Sequence, residues 1–171
     1  MKYDYKTLYQ KNAEFYEARP FAKQLLFIGN LALPLLFLFS YGGFLFYAIF
    51  TKFDTVELIK LLLLPSFCLL LVMILRLAVD RPRPYSAQGA NIQPLFRKKS
   101  KDKESFPSRH VACAFVIALV IGAYFPFAGI FLCLLAFALA YIRFSLGLHY
   151  PSDLFGGAIT GALCALPMFI I

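Results

Sequence analysis

Residues 111–143 read VACAFVIALVIGAYFPFAGIFLCLLAFALAYIR, with no charged side chain before Arg143. A helix crosses a bilayer with about 17–25 apolar residues, so this run is too long for one crossing. Pro126 and Gly129 stand near its middle and mark a turn. His110 precedes Pro126 by 16 positions and Arg143 follows it by 17, so a hairpin with nearly equal arms returns Arg143 to the depth of His110. Both arms are short for a span, which places the two residues slightly below the headgroups.

Downstream of the hairpin the chain continues Arg143-Phe-Ser-Leu-Gly-Leu-His149-Tyr-Pro-Ser-Asp153, and Leu154 to Ile171 forms a last span. Pro151 suits the first turn of its helix. From Val111 to the C-terminus, Arg143, His149 and Asp153 are the only Asp, Glu, Lys, Arg or His residues. Upstream, His110 closes the segment Ser105-Phe-Pro107-Ser108-Arg109-His110, in which Ser108 is placed to cap the helix that follows. Tyr85 to Arg109 is the one long polar segment, with Arg97, Lys98, Lys99, Lys101, Asp102, Lys103 and Glu104 in one run. Before it, Leu58 to Val79 is an apolar span that stops at Asp80-Arg81-Pro82-Arg83-Pro84, because proline cannot continue a helix.

Leu25 to Phe50 is apolar almost throughout. A turn at Gly42-Gly43 would leave arms too short to cross, so one long helix, tilted or kinked, is expected there. The fold expected is therefore all-α, a polytopic transmembrane helix bundle of five spans, or six if residues 25–53 form a hairpin. Its active site lies at one membrane face, where the ends near Arg76 to Pro84, Ser108 to His110 and Arg143 to Asp153 meet. Residues 1–23 mix Tyr and Phe with Lys at helical spacing and read as an amphipathic N-terminal segment, with residues 24–171 as the transmembrane domain. No cleavable signal is expected.

Composition agrees. The 171 residues are 61% hydrophobic with mean hydropathy +0.73, which fits one integral membrane unit and not a soluble domain. The net charge of +8 sits in two blocks flanking membrane segments, which suits anionic headgroups or a phosphate substrate and not nucleic acid. Cys68, Cys113, Cys133 and Cys164 lie singly in apolar runs and read as small buried hydrophobes.

The two histidines, His110 and His149, fall at co-facing helix ends. Arg76, Arg83, Arg143 and Arg109 are planar, permanently charged donors suited to surrounding a phosphate. Arg76 is also spaced to pair with Asp80, and Arg81 equally suits headgroups. Ser108 and the backbone N–H groups after it open a helix, which binds anions. Asp153, four residues after His149, is spaced to reach one imidazole nitrogen and leave the other free to attack phosphorus. His110 is then the group that protonates the departing oxygen and activates water. Metal binding by the histidines and Asp153 is disfavoured by the surrounding arginines.

Taken together, Arg76-x6-Arg83-Pro84, Pro107-Ser108-Arg109-His110 and Arg143-x5-His149-x3-Asp153 resemble the signature of the type 2 phosphatidic acid phosphatase family. That signature runs Lys-x6-Arg-Pro, Pro-Ser-Gly-His and Ser-Arg-x5-His-x3-Asp. The resemblance covers about residues 58–171. It implies a metal-independent membrane phosphatase without cofactor, acting on a lipid phosphate or diphosphate such as a polyprenyl diphosphate, phosphatidylglycerol phosphate or phosphatidate. His149 becomes the nucleophile that forms a phosphohistidine, Asp153 its partner and His110 the general acid, with Arg76, Arg83, Ser108 and Arg143 as phosphate ligands. Three positions depart from the pattern: Arg76 replaces lysine, Arg109 replaces glycine, and Ile142 replaces the serine before Arg143. The site pattern is also similar to the vanadate site of the soluble haloperoxidases. A lipid phosphotransferase and a non-catalytic anionic-lipid-binding membrane protein are the alternatives, and a multi-pass protein of the cell membrane is the expected setting. Lys2 to Lys23 and Arg97 to Lys103 share the site's face, so the positive-inside rule points to the cytoplasm. The resemblance to bacterial members instead implies an outer-face site with an extra crossing near Gly42-Gly43, and the two readings stand side by side.

Overall fold

The computed structural model describes residues 5–95 and 102–170. Lys2, Arg97, Lys98, Lys99 and Lys101 lie outside the described residues. Among the described residues seven helices follow in order: α1 (Tyr5–Glu17), α2 (Pro20–Phe50), α3 (Thr55–Val79), α4 (Arg109–Tyr124), α5 (Pro126–Ser145), α6 (Pro151–Ala165) and α7 (Pro167–Ile170). Among the described residues there is no strand.

The possible hairpin in residues 25–53 does not form, because α2 runs unbroken through Pro34 and Gly42-Gly43. Its 31 residues measure roughly 46 Å, longer than the ~30 Å hydrocarbon layer. Tilt, or an end in the headgroups, accommodates the excess. Asp54 caps α3 by accepting from the Val56 amide at 3.4 Å, and at the other end Asp80 turns left-handed with φ 39° ahead of Pro82. Pro126 and Pro151 each open their helix within the first two positions, where no backbone donor is lost.

By length and composition α2, α3, α5 and the segment Pro151–Ile170 can each cross a membrane, and the apolar α4 is shorter at 16 residues. α4 occupies the middle of the bundle, with Val111, Ala112, Val116, Ala118 and Val120 fully buried. α2 and α3 instead turn Leu31, Phe39, Leu63 and Phe67 outward, an apolar surface that only lipid solvates favourably. At the end of the bundle away from the long connection, Phe44, Phe53, Tyr124 and Phe125 pack ring against ring, an aromatic girdle of the kind that sits at headgroup level. There Tyr124 donates to Glu57, which also pairs with Lys60 at 2.8 Å.

Residues 80–95 and 102–108 lie at the opposite end, and α1 straps down the first of these stretches. The Tyr9 hydroxyl donates to the Gln93 carbonyl at 3.2 Å and accepts from the Leu95 amide at 2.9 Å. Asn12 donates to the Ser145 carbonyl at 3.4 Å, so α1 ties the connection to the end of α5. Gly147, with φ +74°, lets the chain turn directly beneath the Tyr9 ring, where a Cβ would come within 2.9 Å.

Candidate active site

The connection doubles back before α4 starts. The Arg83 amide donates to the Asp102 carbonyl at 2.8 Å and the Ser105 amide to the Arg81 carbonyl at 2.9 Å, so its two ends lie side by side. The Ser108 amide then donates to the Asp153 carbonyl at 2.9 Å, fixing the start of α4 to the first turn of α6. The Asp153 side chain is fully buried and holds three donors. Its Oδ2 accepts from Ser105 Oγ at 2.5 Å and the Tyr150 amide at 2.9 Å, and its Oδ1 accepts from Arg81 Nη1 at 2.8 Å.

His149 Nδ1 lies 3.5 Å from Asp153 Oδ2, but the Ser105 carbonyl oxygen is nearer, at 3.0 Å. A ring nitrogen facing a carbonyl oxygen has to be the donor, so we assign the proton to Nδ1 and the lone pair to Nε2. Burial pushes the His149 imidazole down to about 4; the hydrogen bond to Asp153 works against this, while Arg83 and Arg143 add to it. The ring is therefore neutral at physiological pH.

All eight residues singled out in the sequence stand at this end of the bundle. Arg143 is buried at the last turn of α5, and its Nε has no hydrogen-bond partner. Ser108 occupies the N-cap position of α4 in extended backbone, but its hydroxyl makes no capping bond and is likewise buried without a partner. His110, in the first turn of α4, is within electrostatic reach of Arg143, Arg109, His149 and Arg76. Arg76 meets Glu104 at 3.9 Å, and Asp80, its alternative partner, pairs with Lys103 at 2.8 Å. Arg83 donates from Nε to the Lys103 carbonyl at 3.3 Å. Arg109 is exposed at the start of α4. With His110 it borders an apolar groove of about 630 Å³ whose walls include Pro34 and Phe37 of α2, Pro65 and Leu69 of α3, and Ile117 of α4. Among the described residues no three His, Cys, Asp or Glu side chains converge as metal ligands.

Two participants were not singled out. Arg81, which by sequence suits headgroups equally, commits one of its nitrogens to Asp153. Ser105, which the sequence marks only as part of the segment before α4, serves the Asp153 and His149 pair with both its hydroxyl and its carbonyl. The available signal was the burial expected of Asp153: a carboxylate inside an apolar half needs several donors, and one neutral imidazole does not suffice.

A family model described as the PAP2 superfamily matches residues 57–171. A lipid A 4'-phosphatase of Bacteroides thetaiotaomicron is 37% identical over 91 residues, covering 51% of this chain and 40% of that protein. The bacitracin transport permease protein BcrC of Bacillus licheniformis is 40% identical over 65 residues, 38% of this chain and 32% of that protein. The matches thus span less than half the length of these curated relatives. The crystal structure of Aquifex aeolicus LpxE superposes with a TM-score of 0.71 at 25% identity, covering 96% of this chain and 94% of that one. A transmembrane PAP2 type phosphatidylglycerolphosphate phosphatase from Bacillus subtilis shares the fold, with a TM-score of 0.73 at 21% identity over 96% of this chain and 82% of that one. The helical bundle, the ordered motifs and the family match agree, and the chain belongs to the PAP2 superfamily.

Proposed function

We propose that this chain is a multi-pass phosphatase of the cell membrane that hydrolyses a lipid phosphate or lipid diphosphate through a phosphohistidine. Residues 1–23 act as an interfacial segment and residues 24–171 as the phosphatase domain. The observation that carries the reading is the tethered His149 ring. Its Nδ1 is held by the Ser105 carbonyl and Asp153, leaving Nε2 as a neutral nucleophile in a site that also buries the unpartnered Ser108 Oγ and Arg143 Nε.

In the first step the Nε2 lone pair attacks phosphorus and the bond from phosphorus to the lipid oxygen breaks. His110 gives that oxygen a proton, while Arg76, Arg83, Arg143, the Ser108 hydroxyl and the amides opening α4 hold the phosphoryl oxygens; Arg109 adds a further guanidinium at the rim. In the second step His110 takes a proton from water, the hydroxide attacks phosphorus, and the P–N bond breaks to release inorganic phosphate and neutral His149. The apolar groove below Arg109 and His110 suits a hydrocarbon tail, with the headgroup at the arginines.

Phosphate release from a panel of polyprenyl diphosphate, phosphatidylglycerol phosphate and phosphatidate, measured on purified protein in detergent, tests the activity. Turnover insensitive to EDTA and lost in His149→Ala is expected, with a label on the wild-type chain, trapped by quenching in alkaline detergent, that is stable to base and lost in acid. A fully active His149→Ala refutes the mechanism.

A further inference from the structure

Arg81 is held on three sides. Its Nη1 donates to Ser152 Oγ at 2.7 Å and Asp153 Oδ1 at 2.8 Å, and its guanidinium carbon lies 4.2 Å from the centre of the Tyr150 ring. Tyr150 is fixed in turn, because its hydroxyl accepts from the Ala90 amide at 3.1 Å. An arginine serving headgroups alone would need none of these contacts. Nor does the arrangement suit a phosphate ligand, since Nη1 already gives both its hydrogens to protein acceptors.

We propose that Arg81 is a positioning residue for phosphoryl transfer: by holding Oδ1 of Asp153 it keeps Oδ2 on Ser105 and Tyr150, and so leaves Nδ1 of His149 to the Ser105 carbonyl. This rests on His149 being the nucleophile. Released from Arg81, the carboxylate is free to turn toward Nδ1, now 3.5 Å away. The ring would follow it, and Nε2 would swing off the line of attack. The groups facing His149 are Asp153 from α6, Arg143 from α5, Arg83 and the Ser105 carbonyl from the connection, and His110 from α4. Removing the Arg81 charge leaves the Asp153 carboxylate less neutralised, so the imidazolium gains stability and His149 protonates at higher pH.

The test uses the full chain in detergent with dioctanoyl phosphatidate as probe. Arg81→Gln should lower kcat about 10- to 100-fold with KM changed less than about two-fold. The acid limb of its kcat/KM profile should rise by about one pH unit; comparing both proteins on one substrate cancels the substrate's own ionisation. Arg81→Lys keeps a charge but loses the planar fork, and should fall between the two. In an Asp153→Asn background, Arg81→Gln should add less than about two-fold, since its partner is already lost. A KM effect with an unmoved acid limb would make Arg81 a substrate ligand and overturn the proposal, as would wild-type kinetics. If Arg81→Gln does not survive extraction, Arg81→Lys carries the same pH and kcat criteria. The nucleophile reading fails separately, through an active His149→Ala.

Discussion

Substituting Gly157 by alanine should slow the enzyme without touching a polar group. Gly157 and Gly161 lie one turn apart on the face of α6 that meets α4. A Cβ on Gly157 would stand 2.7 Å from the Ser108 carbonyl oxygen, and one on Gly161 would stand 2.4 Å from that of Ala112. Ordinary contact begins at 3.4 Å, so Gly157→Ala requires the helices to part by 3.4 − 2.7 = 0.7 Å, because the clashing atoms are backbone. Asp153 is one turn before Gly157, and its carbonyl accepts the Ser108 amide at 2.9 Å; the same parting stretches that bond to about 3.6 Å, past hydrogen-bond range. Stability should fall by about 1–3 kcal/mol from overpacking. With about 100-fold lost per ångström of misplacement, kcat should fall on the order of 10- to 30-fold. Gly42→Ala is the control, since a Cβ there meets nothing within 4 Å. It should keep full activity and gain up to ~1 kcal/mol of helix stability. Phosphate-release kinetics and thermal unfolding in detergent measure both quantities. Wild-type kcat in a folded Gly157→Ala, or an equal loss in Gly42→Ala, would refute the idea that the α4–α6 seam sets the site.

Ser108→Ala should leave the unfolding temperature nearly unchanged, because the hydroxyl it removes has no partner in the protein, while inhibition by inorganic phosphate or vanadate weakens about 10- to 100-fold. Equal inhibition constants would remove Ser108 from the ligand set. His149 protonates at about 4 in the folded chain, against about 6.5 unfolded, so its contribution to stability is complete above pH 6.5 and is lost as pH falls toward 4. Activity should fall over the acid end of that window, as the imidazolium has no lone pair to attack with. An acid limb that stays in place in every variant altering the surroundings of His149 would detach the titration from that ring.

The hairpin about Pro126 was legible because a 33-residue apolar run has few ways to lie in a bilayer, and proline with glycine supplies the only break. The single α2 was legible for a related reason: the glycines at 42 and 43 divide the run into arms too short to cross. What escaped was the seam of Gly157 and Gly161. Small residues allow close helix approach, but their spacing does not say which neighbour approaches, and here that neighbour is α4. Ser105 escaped for another reason. It sits in a connection whose path depends on the backbone pairing of residues 81–83 with 102–105, and no periodicity in the sequence reports such a pairing.

The charges at the site divide into two layers, and the division explains why so many arginines share one membrane face. Arg81 is neutralised by Asp153 at 2.8 Å and holds the frame, and Arg76 lies within 3.9 Å of Glu104. Arg83, Arg109 and Arg143 form no ion pair among the described residues, and the buried Nε of Arg143 has no partner at all. Burying the Arg143 guanidinium without a counter-ion costs several kcal/mol, so its place is tolerable only where an anion compensates it, while Arg83 and the exposed Arg109 flank it at lower cost. A carboxylate from the protein in that place would stabilise the fold and block the phosphate. Asp153 avoids the conflict because Ser105, Tyr150 and Arg81 occupy its oxygens, which leaves the remaining arginines without a protein carboxylate, as the proposed phosphate ligation requires.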